Sequence, residues 1–365
     1  MTGWGVILGH WDLVPGHWAS MPEMFVTLII MVVKVGVVFA TLLLVAAYMT
    51  WIERKVIADI QVRVGPSRVG PYGLLQPIAD GIKLFFKEDL MPGHVDRALF
   101  LLAPALSVVP AMIAFAVIPF GGTIPAFGFL SKPIPLYLSD IDVGVLYVFS
   151  VTSLGVYGIV LAGWASNNKY SLLGGLRASA QMISYELSMS LSVVGVLILV
   201  GSLRLTEIVK AQAGFSWWMG ILPVPNWFVF SQPIGFLIFF TCALAETNRA
   251  PFDLPEAETE LVAGFHSEYS SMKFAMFFMA EYANMATASA VATSLFLGGP
   301  LGPFGSSPVW FVGKVFVLLF VFIWFWASLP RFRYDQLMTF GWKRLLPLAL
   351  ANMVFTAILA VLWVR

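Results

Sequence analysis

The sequence predicts an all-α polytopic membrane protein with about eight transmembrane helices, or nine if a short one is added, and an amphipathic interfacial helix. Of the 365 residues, 59% are hydrophobic and 11% are charged, and the mean hydropathy is +0.86. A soluble domain has about a quarter of its residues charged. Apolar runs of about 20 residues recur, which is enough to cross a hydrocarbon core of about 30 Å. Backbone groups in lipid must bond internally, so these runs are expected to be helices.

Eight apolar runs are long enough to be membrane spans. They cover residues 24–50, 98–120, 143–164, 182–201, 227–245, 268–297, 309–328 and 345–364. No shift in composition marks a second domain, so we predict a single transmembrane helical domain over residues 1–365. Its inner-side loops would be 51–97, 165–181, 246–267 and 329–344. The inner loops have distinct sequences, which counts against the inverted repeats of many secondary transporters. No removable targeting segment is recognised at the start of the sequence.

The positive charges are distributed unevenly between the two sides of the predicted membrane. Fifteen of the 21 Lys and Arg residues lie in alternate loops: Arg54, Lys55, Arg63, Arg68, Lys83, Lys87, Arg97, Lys169, Arg177, Arg249, Lys273, Arg331, Arg333, Lys343 and Arg344. Loops rich in Lys and Arg stay on the cytoplasmic side. Both termini are therefore expected outside, and the charged loops inside, most simply in a bacterial inner membrane.

The first inner loop contains a helical pattern in "LLQPIADGIKLFFKED". One helical face is apolar and the other is charged, with Ile78, Ile82, Phe85 and Phe86 on the first and Asp80, Lys83 and Lys87 on the second. This pattern is typical of a helix lying in the membrane interface. A surface helix that covers neighbouring helices is the open alternative.

Ionisable residues occur inside the predicted spans. Lys34, Glu186 and Glu281 lie within apolar runs, and Glu246 lies at the inner end of another. A charge at the bilayer centre costs at least about 2.5 kcal/mol, so such groups usually face a protein interior or a hydrated cavity and mark ion pathways. Pairing of each carboxylate with Arg or Lys to fix helix packing is the alternative. For Lys34, snorkelling or pairing within the bundle is favoured.

The stretch "AETNRAPFDLPEAETELVAGF", residues 245–265, carries five carboxylates between Glu246 and Glu260. Pro251 and Pro255 interrupt it, and the following segment would place Glu256 and Glu260 on one helical face, with Glu258 directed elsewhere. Such acidity is unusual on the side where positive charge is normal. A functional loop is therefore predicted, although a solvated loop that binds a basic partner surface stays open.

Several classes of chemistry are disfavoured by what the chain lacks. The single cysteine, Cys242, excludes an internal disulfide and a four-thiolate iron–sulfur cluster within this chain. The four histidines are scattered, and no phosphate-cradling or dinucleotide motif is found. The net charge of +1 gives no reason to expect a nucleic-acid partner. If the protein takes part in electron transfer, a partner must hold the electron carriers.

Four long motifs resemble one known family. They are "ERKVIADIQVRVGPSRVGPYGLLQPIADGIKLFFKED" (53–89), "LLGGLRASAQMISYELSM" (172–189), "AETNRAPFDLPEAETELVAGFHSEYSSMKFAMFFMAEYANM" (245–285) and "LPRFRYDQLMTFGWKRLLPLAL" (329–350). Together they resemble the quinone-site membrane subunit of respiratory complex I, the NADH:quinone oxidoreductase. The resemblance implies a subunit without a redox centre of its own. It also implies a lipid quinone as substrate, and NADH, FMN and iron–sulfur clusters held by partner subunits.

The resemblance also implies roles for residues that match the family motifs. The quinone chamber and its access would involve Glu53, Arg54, Arg63, Asp80, Lys83, Glu246, Arg249, Asp253, Glu256, Glu258, Arg331 and Arg333. The proton or charge path would run through Glu186, Glu246 and Glu281. Implied partners are hydrophilic quinone-site subunits with the terminal iron–sulfur cluster, small membrane subunits and antiporter-like subunits. No catalytic residue and no metal ligand is expected in this chain.

Three other interpretations stay open. Membrane-bound nickel–iron hydrogenases and ferredoxin- or F420-linked complexes contain homologous subunits, although the unbroken motif at 245–274 favours the quinone enzyme. A free-standing proton-coupled transporter would work alone in vesicles. A structural anchor would lose assembly, but not its proton-to-electron ratio, when its buried carboxylates were neutralised.

Overall fold

The structure is a computed structural model that describes residues 21–124, 134–218, 222–253, 263–303 and 305–363. The chain divides into two compact units, Met1–Ala40 and Thr41–Arg365. Lys34 belongs to the first unit, whereas the other predicted site residues all belong to the second. The prediction of one domain over the whole chain stays a prediction.

The described residues are mainly helical, which confirms the predicted all-α class. Their helices are α1 (Met21–Ile60), α2 (Gln76–Phe86), α3 (Arg97–Ile113), α4 (Gly144–Ala165), α5 (Lys169–Val200), α6 (Leu205–Ala211), α7 (Phe228–Ser231), α8 (Pro233–Glu246), α9 (Ser271–Phe296), α10 (Pro308–Ser328), α11 (Tyr334–Phe340) and α12 (Leu346–Trp363). Short 3₁₀ turns occur at Pro71–Gly73, Ala114–Val117 and Gly264–His266, and a π turn at Gly341–Leu345 joins α11 to α12.

Six helical stretches in the described ranges are long and apolar enough to cross a membrane. They are Thr27–Ile60, Arg97–Val117, Gly144–Ala165, Lys169–Val200, Pro308–Ser328 and Tyr334–Leu362. The other two predicted spans are also helical, but α8 has only 14 residues, and α9 carries many Ser, Thr and Asn residues. Much of α9 is buried by protein, so its polar side chains contact neighbouring helices, which explains why it is less apolar than a span facing lipid.

Some helices extend beyond the predicted apolar runs. Helix α5 begins at Lys169, where the Asn168 side chain accepts a hydrogen bond from the Tyr170 backbone N–H at 2.9 Å. That cap satisfies one of the unpaired N–H groups of the first turn. Residues 169–181, which hydropathy placed in an inner loop, are therefore helical. Glu186 consequently lies near the middle of α5, rather than about one turn into a span.

The outer-side loops contain small antiparallel hairpins. Strand β1 (Thr123–Ile124) pairs with β2 (Ile134–Pro135) in the register Thr123 to Pro135. Strand β3 (Phe215–Trp218) pairs with β4 (Leu222–Pro225), and β5 (Leu301–Gly302) pairs with β6 (Gly305–Ser306). These hairpins satisfy backbone groups locally in the connections between helices.

Helix α5 is central to the packing of the second unit. It contacts α4, α8 and α12, while α3 packs against α4 and α9. Small residues permit the closest approaches, because a Cβ atom on Gly163 of α4 would lie 2.6 Å from the Ser171 carbonyl oxygen of α5. Close backbone contact through small residues is common between membrane helices.

Helix α2 presents its apolar face outward. Its four large apolar residues are exposed by 53 to 79%: Ile78, Ile82, Phe85 and Phe86. The face therefore does not cover neighbouring helices, which disfavours that alternative. The helix is attached through its C-terminal end, where the Ser271 hydroxyl donates to the Leu84 carbonyl at 3.0 Å and Lys273 pairs with Asp89 at 3.0 Å.

Candidate functional site

A buried arginine, Arg249, joins two carboxylates from distant parts of the chain. It lies in the turn after α8, and its Nη1 donates to Oε1 of Glu53 at 3.1 Å. Its Nη2 lies 3.5 Å from Oε2 of Glu281. The three side chains are only 10 to 14% exposed. The set therefore holds two acidic groups and one cation away from solvent, on α1, α9 and the connecting turn.

Aromatic rings complete the surroundings of Arg249. Its guanidinium carbon lies 4.7 Å from the Tyr282 ring centroid and 5.8 Å from that of Trp326. Rings at this distance attract a cation through their electron-rich faces. Burial alone lowers the pKa of Arg249, but the charge of Glu53, followed by Tyr282 and Glu281, raises that pKa well above its ordinary value. Arg249 is therefore a permanent positive charge.

Glu246 and Glu281 line one narrow cavity. Its walls also include Asn284 of α9, Thr247 of the turn and Met182 of α5. The space open to the centres of water molecules is about 20 Å³, which accommodates about one water. Two carboxylates thus face the same small, polar and partly enclosed space.

A second narrow cavity adjoins the first at Glu246. The two share Glu246, Thr247 and Asn284, and the second also reaches Thr152 of α4 and Thr287 of α9. Polar groups therefore continue away from the Arg249 set along α9.

Glu186 of α5 is electrostatically connected to this region. It interacts with Glu246 and makes a side-chain hydrogen bond with Ser153 of α4. The structure therefore brings Glu186, Glu246 and Glu281, predicted as a path, into one connected region that also holds Glu53 and Arg249.

Gln181 holds the turn that carries Glu246 and Arg249. Its side-chain amide lies on α5 and donates to the carbonyl oxygens of Ala245 and Phe252, both at 2.8 Å. Asn248, within the turn, has a φ of 50°, a left-handed conformation that Asn tolerates better than most residues. The sequence did not single out Gln181, because a neutral amide within a helical run carries no pattern of its own.

Asp253 and Arg331 form a separate pair at the end of the same turn. Nη2 of Arg331 donates to Oδ2 of Asp253 at 2.7 Å, with the Asp253 side chain 10% exposed and Arg331 45% exposed. The Phe332 backbone N–H donates to the Pro251 carbonyl at 3.0 Å. The connection between α10 and α11 is thus attached to the turn after α8.

The remaining predicted charges lie at the surface. Nη1 of Arg54 donates to Asp80 at 2.7 Å, and Lys83 lies 3.7 Å from the same carboxylate. Arg63 donates to the Gln61 side chain at 2.7 Å. Arg333 pairs with Asp335 at 2.6 Å. These groups are not part of the buried Arg249 set.

The acidic segment that follows Asp253 cannot be placed relative to the cavity. The predicted residues Glu256 and Glu258, together with Glu260, lie outside the described residues. Within the described ranges, no group of three or more His, Cys, Asp and Glu side chains is arranged to hold a metal ion.

Comparison with known proteins assigns most of the chain. Residues 33–357 match the family model described as NADH dehydrogenase. The chain is 56% identical over 340 residues to an NADH-quinone oxidoreductase subunit of Geobacter sulfurreducens, covering 90% of this chain and 94% of that protein. It is 53% identical over 355 residues to the subunit of the same name from Koribacter versatilis (92% and 98% covered). It is 56% identical over 330 residues to that of Thermomicrobium roseum (90% and 95% covered).

Proposed function

The chain belongs to the NADH dehydrogenase family, and from that premise we propose that it is a membrane subunit of a proton-pumping NADH:quinone oxidoreductase. In this role it forms the quinone-access chamber and the first part of the charged path that couples quinone reduction to proton translocation. The relatives are named as subunits of such an oxidoreductase. The other subunits of that complex are accordingly the partners.

One observation carries the coupling part of the proposal. Glu246 and Glu281 line one cavity, and Arg249 links Glu281 to Glu53. Glu186 interacts with Glu246 from the other side. One cation cannot neutralise four carboxylates, so sharing a proton among them relieves the excess negative charge. A change of charge near Glu53 then alters where that proton resides.

The surface charges around α2 suit the access side of the chamber. Arg54, Asp80 and Lys83 form an exposed cluster beside the outward apolar face of α2. A lipid quinone has an apolar tail and a polar headgroup, so it can leave the bilayer along a surface that offers both. Arg63, Asp253, Arg331 and Arg333, with Glu256 and Glu258, are proposed to face the chamber or its rim.

Electron transfer belongs to the quinone and to the partner subunits. NADH, FMN and the iron–sulfur clusters are proposed to be held by hydrophilic partners, with small membrane subunits and antiporter-like subunits adjoining this chain. A cofactor or substrate supplies the redox chemistry, while the surrounding protein positions it and tunes its charge. The chain is an integral membrane protein, and we place it in a bacterial inner membrane with both termini outside.

The test replaces Glu281 or Glu246 with Gln in the assembled complex. Each substitution removes a group that exchanges protons, so proton pumping coupled to quinone reduction should fall about 10- to 100-fold. The measurements are the quinone reduction rate and the proton-to-electron ratio in vesicles. Glu207→Gln is the control, because Glu207 is 45% exposed on α6, outside the cavity. Full pumping at a normal quinone reduction rate would remove the substituted residue from the path.

A further inference from the structure

We propose that Gln181 is a positioning residue that fixes the turn from Glu246 to Asp253 and thereby holds Arg249 between Glu53 and Glu281. This proposal rests on the function proposed above and deepens it. The Gln181 amide donates to the backbone of the turn. It would therefore act on the charged path through the backbone that carries Glu246 and Arg249.

The contacts of Gln181 determine which way its amide faces. Its side chain on α5 has no solvent exposure. Nε2 donates to the carbonyl oxygens of Ala245 and Phe252, each at 2.8 Å, and approaches Oδ1 of Asn248 at 3.4 Å. Carbonyl oxygens only accept hydrogen bonds, so the NH₂ group, and not Oε1, must point at the turn.

The same amide group ties together the two ends of the turn. Ala245 is the residue before Glu246, and Phe252 is the residue before Asp253. Outside a helix or sheet, buried carbonyl groups need such a side-chain donor, because no regular backbone ladder supplies one. Without Gln181, the two ends of the turn lose their common donor, and Arg249 lies between them.

The middle of the turn also depends on this contact. Asn248 adopts a φ of 50°, which is uncommon for a residue with a side chain and persists where the surroundings enforce it. Its side chain approaches the Gln181 amide at 3.4 Å and the Met182 sulfur at 4.0 Å. Arg249 follows directly, so a change in the Asn248 backbone redirects the guanidinium.

A neighbouring residue makes loss of Gln181 a local change rather than unfolding. Tyr185 lies one turn further along α5, its hydroxyl donates to the Leu337 carbonyl at 2.9 Å, and its ring packs on Phe252 with centroids 5.4 Å apart. These contacts keep the end of the turn against α5 when the amide is removed. We therefore expect a displaced turn in an assembled protein.

The first experiment compares two buried glutamines in the assembled complex. Gln181→Met keeps a side chain of similar length but removes the donor. It should lower quinone reduction about tenfold, since small misplacements of reacting groups carry costs of this order. NADH oxidation by a soluble artificial acceptor should be unchanged. Gln232→Met is the matched control: Gln232 is also buried, and it donates to Thr356 at 2.8 Å, away from the Arg249 set. Its quinone reduction per assembled complex should stay within about twofold of the unmodified enzyme.

A double substitution tests whether Gln181 acts through Arg249. Arg249→Lys alone should impair quinone reduction, and Gln181→Met combined with Arg249→Lys should be no slower than Arg249→Lys by itself. Residues that act through one another show such non-additivity, whereas independent sites add. Additive losses would overturn the proposal, as would unchanged quinone reduction in Gln181→Met.

The remaining outcomes are also decisive. If Gln181→Met does not assemble, the same measurements are made on Gln181→Glu, which keeps the size of the side chain. Failure of both to assemble, while Gln232→Met assembles, would make Gln181 a folding requirement and overturn the positioning role. If Glu281→Gln impairs pumping but Gln181→Met does not impair quinone reduction, this inference fails and the proposed function stands. If Glu246→Gln, Glu281→Gln and Arg249→Lys are all fully active, the proposed function fails and this inference with it.

Discussion

At the scale of single residues, burial separates arginines that the sequence presents as similar. Arg249 and Arg333 both pair with carboxylates, but the Arg249 side chain is 10% exposed and that of Arg333 is 74% exposed. Arg333 pairs with Asp335, two residues along the chain, in water that screens the interaction. Arg249 instead compensates Glu53 and Glu281 where little water is available. The same chemical pair therefore has a very different weight at the two positions.

Replacing Arg249 with Leu should strongly destabilise the fold. Glu53 and Glu281 would be left as buried acids without their cation, and breaking a buried pair on one side costs about 3 to 5 kcal/mol. The measurements are the thermal unfolding midpoint and the yield of assembled complex. Arg333→Leu should leave both unchanged. A stable, fully assembled Arg249→Leu variant would show that the pair contributes little.

At the scale of elements, α5 packs closely because several of its positions lack a side chain. A Cβ atom added to Gly174 would lie 2.9 Å from Gly264 and Phe265 backbone atoms, which belong to the 3₁₀ turn that follows the acidic segment. Real side chains do not tolerate such a contact with backbone, so helix and turn would have to separate. Packing of α5 therefore decides where the chain returns from the acidic segment.

Gly174→Ala should destabilise the protein by about 1 to 3 kcal/mol, although alanine favours helix more than glycine does. The matched control is Gly313→Ala on α10, where an added Cβ meets no atom within 4 Å. This control should be neutral or slightly stabilising. Thermal unfolding of the two variants in the same detergent measures the difference. Equal midpoints would contradict the steric argument.

At the scale of the whole molecule, the charge distribution predicts how the chain crosses the membrane. The exposed residues Lys87, after α2, and Lys210, on α6, are assigned to opposite sides by the excess of positive charge in the inner loops. The only cysteine, Cys242, is buried. A cysteine introduced at the surface can therefore be labelled without a large background from the native thiol.

Labelling of introduced cysteines tests this orientation. In a chain carrying Cys242→Ala, a membrane-impermeant maleimide applied to intact spheroplasts should label Lys210→Cys. It should leave Lys87→Cys unlabelled until the membrane is disrupted. The opposite pattern would invert the predicted topology.

The extent to which the site could be predicted depended on the kind of residue. Glu186, Glu246 and Glu281 were found because an acid in an apolar run costs free energy and so requires a reason. Gln181 and Asn248 were missed because neutral amides occur in many helices and turns without special meaning. The start of α5 at Lys169 was missed because polar residues in its first turns lower the hydropathy of a segment that is helical.

The sequence by itself determined the all-α membrane class, the acids placed within apolar runs and the amphipathic helix α2, since composition and periodicity act locally along the chain. Only the tertiary structure decided that Arg249 lies between Glu53 and Glu281, and that Glu246 shares a cavity with Glu281. Glu53 and Arg249 are separated by 196 positions in the sequence. Their contact is produced by the packing of α1, α9 and the turn held by α5, because a charge buried at one point of the fold is stable only where another element brings its partner.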